Sequence, residues 1–220
     1  MNIELARFNM IEQQIRPWQV LDPAVLDLLS IVRREDFVPP KHRALAFVDT
    51  QVPLLDSPHG PCMLEPKVEA RLLQELRVKR SDSVLEIGTG SGFMAALLAH
   101  VAREVTTVEV DPTLAERARR NLERAGLSRV RVVHGDAARA LPSGGPWDVI
   151  LLSGSVAEVP KSLLQQLKPG GRLAAIVGTP PIMRARLFTR VSDSSWSDSE
   201  LFDTVAPRLE GFGEPSRFHF

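Results

Sequence analysis

A carboxylate set against closely spaced glycines is the feature of this chain that most plainly implies chemistry: Glu86-Ile87-Gly88-Thr89-Gly90-Ser91-Gly92. Glycines between a strand and a helix let backbone approach a ligand closely and aim helix N-terminal amides at it. Two further acids follow. Glu109, with Val110 beside it, closes an apolar run about 20 residues beyond the loop, where a carboxylate can accept both hydroxyls of a ribose. Gly135-Asp136-Ala137 follows a third apolar run. Asp136 can accept from an adenine amino group there, or else cap a loop. These groups fall at the ends of three consecutive expected strands, the edge at which open α/β sheets bind ligands.

Two details decide what kind of nucleoside the loop suits. A dinucleotide fingerprint places a third glycine three positions after the second. Counted from Gly88 and Gly90, that place is Phe93. Glu86 directly precedes the first pair, and its charge would sit uneasily beside a pyrophosphate but suits a cationic amino-acid end. S-adenosyl-L-methionine has both a nucleoside and such an end, so it is the expected cofactor, and a nicotinamide enzyme is disfavoured. Ser153, in Ser153-Gly154-Ser155 after the fourth expected strand, stands at the rim where acceptor groups dock. No metal is expected: His42, His100 and His134 lack ligand spacing. Cys62 is the sole cysteine, with no base near it in sequence, and reads as a small buried hydrophobe.

The elements that must position these residues alternate in type. Strands are expected over 83–87, 105–110, 130–134, 148–152 and 173–177. Helices are expected over 93–101, from the Asp111-Pro112 cap to about 125, and over 161–167. That alternation predicts an α/β fold, a Rossmann-like doubly wound, mostly parallel sheet. Helices are also expected over 3–15, from Pro23 to about 34, and from Pro66 through 76, where Val68, Leu72, Leu73 and Leu76 share a side. Residues 47–64 read as an ordered loop. An antiparallel hairpin of 185–191 and 200–205, joined by a polar loop at 192–199, closes the chain. We expect one unit over 1–220: an N-terminal helical cap segment (1–80), a cofactor-binding core (81–180) and C-terminal strands (181–220).

Lys plus Arg and Asp plus Glu balance at 27 each. A neutral chain has no global field for nucleic acid or anionic lipid, so nucleic acid is disfavoured as a partner. No apolar run approaches the roughly 20 residues of a membrane span, and no secretory leader is apparent, so a cytoplasmic location is expected. The oligomeric state stays open.

At these residues the chain resembles the class I S-adenosylmethionine-dependent methyltransferases, and within them the protein-L-isoaspartate O-methyltransferase family. Val84–Phe93 is close to that family's glycine motif, in which an aromatic residue also follows the last glycine. Arg34-Glu35-Asp36-Phe37-Val38-Pro39, Ala46-Phe47-Val48-Asp49, Gly135-Asp136 and the Leu167–Leu173 turn are similar to it as well. The resemblance covers about 5–178. It implies carboxyl methylation of isoaspartyl residues in protein or peptide substrates, for repair, with S-adenosylmethionine as donor. One departure matters. The family's Gly-Gln-Thr-Ile-Ser-Gln-Pro stretch, which places a serine hydroxyl near the reacting carboxylate, reads Gly60-Pro61-Cys62-Met63-Leu64-Glu65-Pro66 here. Leu64 stands at the serine position and Cys62 at the threonine position. His59-Gly60 matches a histidine–glycine pair seen upstream in the family, and His59 either contacts substrate or is a loop residue. The altered segment keeps two alternatives open: another acceptor, small molecule or RNA, and a non-catalytic S-adenosylmethionine-binding protein.

Overall fold

Seven strands of one sheet lie in the order β5-β4-β3-β6-β7-β8-β9 in a computed structural model describing residues 2–57 and 60–213. The strands are β3 (Ser83–Ile87), β4 (Glu104–Glu109), β5 (Arg131–His134), β6 (Trp147–Val156), β7 (Leu167–Thr179), β8 (Ile182–Arg190) and β9 (Trp196–Asp203). The first five in that order run parallel, and β8 and β9 are antiparallel additions. The chain builds outward from β3 to β5, then returns to β6 on β3's other side. The strand order therefore reverses between β3 and β6, which opens a crevice at their carboxyl ends.

Alternation along the strands divides the core in two. Val84, Val149 and Leu151 face a layer containing α1 (Ile3–Met10), α2 (Pro23–Ile31), α3 (Pro66–Leu76), α4 (Phe93–Val101) and α5 (Pro112–Arg124). Leu85, Ile87, Ile150 and Leu152 face the other side, where Trp147, Phe188 and Leu163 of the short α6 (Lys161–Leu164) pack. The caps form as the sequence dictates. Asp22 Oδ1 accepts from Ala24 N at 2.9 Å, and Asp111 Oδ1 from Thr113 and Leu114 N at 2.7 and 2.9 Å, each followed by a proline needing no partner.

Several boundaries differ from expectation. The first helix breaks after Met10 into a π turn (11–15) and a 3₁₀ turn (16–18), because Pro17 lacks the amide a continuing helix requires. The second helix ends at Ile31, and α6 stops at Leu164 instead of 167. Within the expected loop, β1 (Val52–Pro53) pairs with β2 (Cys62–Met63), Val52 opposite Met63. The turn at Lys168–Gly171 is a bulge inside β7: Leu167 pairs with Trp147 before it and Arg172 with Val149 after it. The closing hairpin is longer than expected. Its polar stretch enters β9 because Arg186 pairs with Asp198 and Arg184 Nη1 with Glu200 at 2.6 Å across the strands. Such charges on an edge strand also discourage pairing with another sheet. No helix of the described residues is long and apolar enough to cross a membrane.

Candidate active site

The loop after β3 takes its shape from β4. Gly88 N and Thr89 N donate to Val108 O at 2.9 and 3.3 Å, and Gly90 N to Glu109 Oε2 at 2.8 Å. Gly88 has φ +92°, a backbone state open to glycine and strained for other residues. Asn121 Nδ2 of α5 holds Ser91 O at 2.9 Å. These bonds fix the loop's shape from within the protein.

Glu86 lies inside this frame. It is wholly buried, and Thr107 Oγ1 and Ser153 Oγ each donate to it at 2.8 Å. Burial is the dominant influence on its acidity and lifts its carboxyl to about 8, against the lowering effect of the two hydroxyls. Glu109 ends β4 with its carboxylate on Gly90 N and on Asp111 N at 3.1 Å, and burial raises its pKa too. Both acids already accept hydrogen bonds, and their burial still carries a cost that something cationic would lower.

That something has room. A cavity opens along the strand ends, walled by Gly88, Gly90, Glu109, Val110, Gly135, Ala137 and Ser153, with Leu64 on the α3 side. A smaller one continues beneath the loop past Leu64, Glu69, Glu86, Thr89, Ser91 and Ser153. Two expected residues stand apart from both cavities among the described residues. Asp136 spends its carboxylate on Ala138 N (2.9 Å) and Arg139 Nε (3.1 Å), capping the turn beside the wall formed by its neighbours. Gly92 packs on α5: a Cβ there would meet Leu122 at 3.3 Å and Ala118 at 3.4 Å. His59 lies outside the described residues. Leu64 is buried, its carbonyl accepting from Arg34 Nη2 at 2.7 Å. Among the described residues Cys62 Sγ bonds Gln51 Oε1 at 3.5 Å, and burial pushes the thiol to about 12, which leaves it un-ionised at neutral pH.

Sequence reasoning missed the cavity's lid. Residues 206–212 run back across the β6 end, Ser155 N donating to Pro207 O at 2.8 Å and Leu209 N to Ser155 O at 2.9 Å. A Cβ at either Gly88 or Gly154 would lie 2.8 Å from Leu209 Cδ2. Leu209, Glu210 and Phe212 complete the wall. The only hint in sequence is an apolar residue on either side of Glu210-Gly211.

The glycine loop, buried Glu86 and Glu109 meet at the strand switch point of a sheet whose fold is that of the class I methyltransferases, and the chain is an S-adenosylmethionine-dependent methyltransferase. The chain belongs to one family of that class. The family described as protein-L-isoaspartate(D-aspartate) O-methyltransferase matches residues 6–204. Relatives agree. A protein-L-isoaspartate O-methyltransferase from Methanoculleus marisnigri is 40% identical over 172 residues, 78% of this chain and 77% of its own length. Protein-L-isoaspartate O-methyltransferase 2 of Marinobacter nauticus is 38% identical over 95% of both chains. A solved protein-L-isoaspartate O-methyltransferase superposes with a TM-score of 0.77 at 26% identity, covering 93% of this chain; this chain spans 64% of that one. A Plasmodium falciparum protein described as such an enzyme, in complex with S-adenosyl-L-homocysteine, superposes at 0.78 with 18% identity, covering 96% of this chain and 99% of its own, a likeness of fold.

Proposed function

We propose that this protein methylates the α-carboxylate of isoaspartyl residues in peptides or proteins, a repair reaction, in the cytoplasm. The single observation that carries the reading is the cavity itself. With the smaller cavity, whose lining it shares at Leu64, Gly88, Gly90 and Ser153, it brings Glu86, Glu109 and Ser153 together beside the segment that the family uses for its acceptor. In this reading Glu86 takes the donor's ammonium, Glu109 the ribose hydroxyls, and Val110, Gly135 and Ala137 the base.

When bound, the donor supplies a methyl group on a positively charged sulfur. The acceptor carboxyl has an ordinary pKa near 4 and is ionised at neutral pH, so no general base is needed. A carboxylate oxygen forms the new O–CH₃ bond as the carbon–sulfur bond breaks, and no proton moves. The chain's work is alignment and exclusion of water. Leu55, Leu64, Leu209 and Phe212 supply the apolar wall. Leu64 gives no hydroxyl to orient the acceptor, a deficit of about 1 kcal/mol, somewhat more for a charged partner. Leu64→Ser should therefore leave isoaspartyl methylation intact or raise it, by up to about tenfold. Loss of transfer in that variant, with donor binding intact, would overturn the assignment. The wall of Met63 and Leu64 also favours a second reading, a less polar acceptor on the same donor site; transfer to such a compound and none to isoaspartyl peptide would select it.

Donor binding should depend on pH in a defined direction. Free Glu86 keeps its proton below about 8, and an ammonium partner favours the ionised form. Binding at pH 7 should therefore be accompanied by proton release. Affinity for S-adenosylhomocysteine should climb from pH 6 through 8 as Glu86 ionises, and fall only at higher pH, where the ligand's free amino-acid ammonium, more basic than a peptide N-terminus, loses its charge. Calorimetry in two buffers of different ionisation enthalpy reads the proton count.

A further inference from the structure

Glu69 is a buried acid that the reaction as described leaves unused. It rises from the first turn of α3 into the wall of the smaller cavity, the one that Glu86 and the glycine loop also line. Arg34, itself buried, pairs with Glu69 Oε2, donates to Leu64 O and rests its guanidinium 4.9 Å from the centre of the Phe93 ring. Arg34 thereby fixes the acid's direction. No hydrogen bond from the described residues engages the other oxygen, Oε1.

The charges do not balance. Two buried acids, Glu69 and Glu86, line this one cavity, and the buried guanidinium of Arg34 pairs with Glu69 alone. Glu86 is raised in part by the charge on Glu69, and Glu69 itself is raised by burial to about 7 in spite of Arg34. Buried charge is tolerated where it is paired. Ionising both acids would leave one negative charge in this cavity without a cationic partner among the described residues, and on the donor-site reading the cavity lies where the donor's amino-acid portion belongs.

We infer that Glu69 is a second donor-binding carboxylate, which with Glu86 holds the α-ammonium of S-adenosylmethionine. The inference rests on the donor-site reading above and extends it to a residue on α3. It also gives Arg34 a role: by neutralising one half of the pair it keeps both acids usable in one cavity. An ammonium has three donors, enough for both carboxylates.

The test compares two ligands by calorimetry on the whole protein. S-adenosylhomocysteine carries the ammonium; 5′-methylthioadenosine keeps the nucleoside and lacks the amino-acid end. Glu69→Gln should weaken S-adenosylhomocysteine by about tenfold, in line with loss of a charge-assisted contact, and leave 5′-methylthioadenosine within about twofold. Glu69→Asp keeps the charge that Arg34 needs and withdraws it by one methylene. It should weaken S-adenosylhomocysteine by about threefold with the same indifference to 5′-methylthioadenosine. Unchanged S-adenosylhomocysteine binding in both variants would overturn the inference while leaving the donor site standing. Equal weakening of both ligands would reduce Glu69 to a structural part. A loss confined to S-adenosylmethionine, whose sulfur is charged, would place the acid at the sulfonium and overturn the ammonium assignment. Failure of the unaltered protein to bind either nucleoside would remove the donor-site reading itself.

Discussion

Glu86→Gln should all but eliminate S-adenosylhomocysteine binding while leaving the protein folded. The two halves of that expectation have separate causes. Glutamine has the same shape, and its amide oxygen can still accept from Thr107 or Ser153, each of which donates to Glu86 at 2.8 Å. It also removes a carboxylate whose burial raises its pKa to about 8. An acid with a raised folded pKa contributes most below its unfolded value and becomes a liability as pH rises through the folded one. The variant should therefore melt at or above the temperature of the unaltered protein at pH 8. Binding behaves oppositely. The ammonium loses its buried ionic partner, a truncation that costs about 2–5 kcal/mol in interfaces, or roughly 30-fold to several thousand-fold in Kd. Calorimetry and a thermal melt on the same sample check both halves. A variant that bound S-adenosylhomocysteine as well as the parent would show that the cationic end lies elsewhere.

The second large effect is on stability. Arg34→Met removes the guanidinium that pairs with Glu69, bonds Leu64 O and stacks near Phe93. A buried acid left without its partner costs about 3–5 kcal/mol. For a chain of this size that is a fall in Tm of about 10 °C. Glu69 can escape part of the cost by taking a proton, so the loss should be smaller at pH 6 than at pH 8. The double variant Arg34→Met/Glu69→Met replaces the pair by apolar side chains and should regain most of the Tm, since such replacements are often neutral. It should not regain S-adenosylhomocysteine affinity, because both charged groups of the α3 side are gone. Scanning calorimetry on the single and double variants separates the two contributions. A single variant as stable as the parent would mean that Arg34 and Glu69 are not a buried pair.

What was legible from sequence and what was not divides along the range of the interactions. The glycine loop is local: strand, turn and helix are set by residues 83–101, and the spacing of Glu109 from it follows from one helix and one strand. The alternation of strands and helices gives the parallel sheet for the same reason. At Asp136 the sequence places an acid after a strand but does not announce its bonds to Ala138 N and Arg139, while Gly135 and Ala137 on either side line the cavity. Glu69 was readable and was overlooked. Leu72, Leu73 and Leu76 lie three, four and seven residues after it, so a charged residue sits on the buried stripe of an otherwise regular amphipathic helix. Its partner Arg34 is 35 residues away, and no local pattern announces that. The lid over the crevice depends on Leu209 meeting Gly88 and Gly154, contacts between distant segments. β9 was misjudged because its serines and acids look like a loop until Arg184 and Arg186 lie opposite them.

The account stands most directly on where the methyl group goes. The protein should be incubated with methyl-labelled S-adenosylmethionine and a pair of peptides differing only in an aspartyl or isoaspartyl linkage. Label should enter the isoaspartyl peptide alone, as a carboxyl ester released as methanol by mild base. Base-stable label, or no label in a protein that binds S-adenosylhomocysteine, would contradict the proposed acceptor.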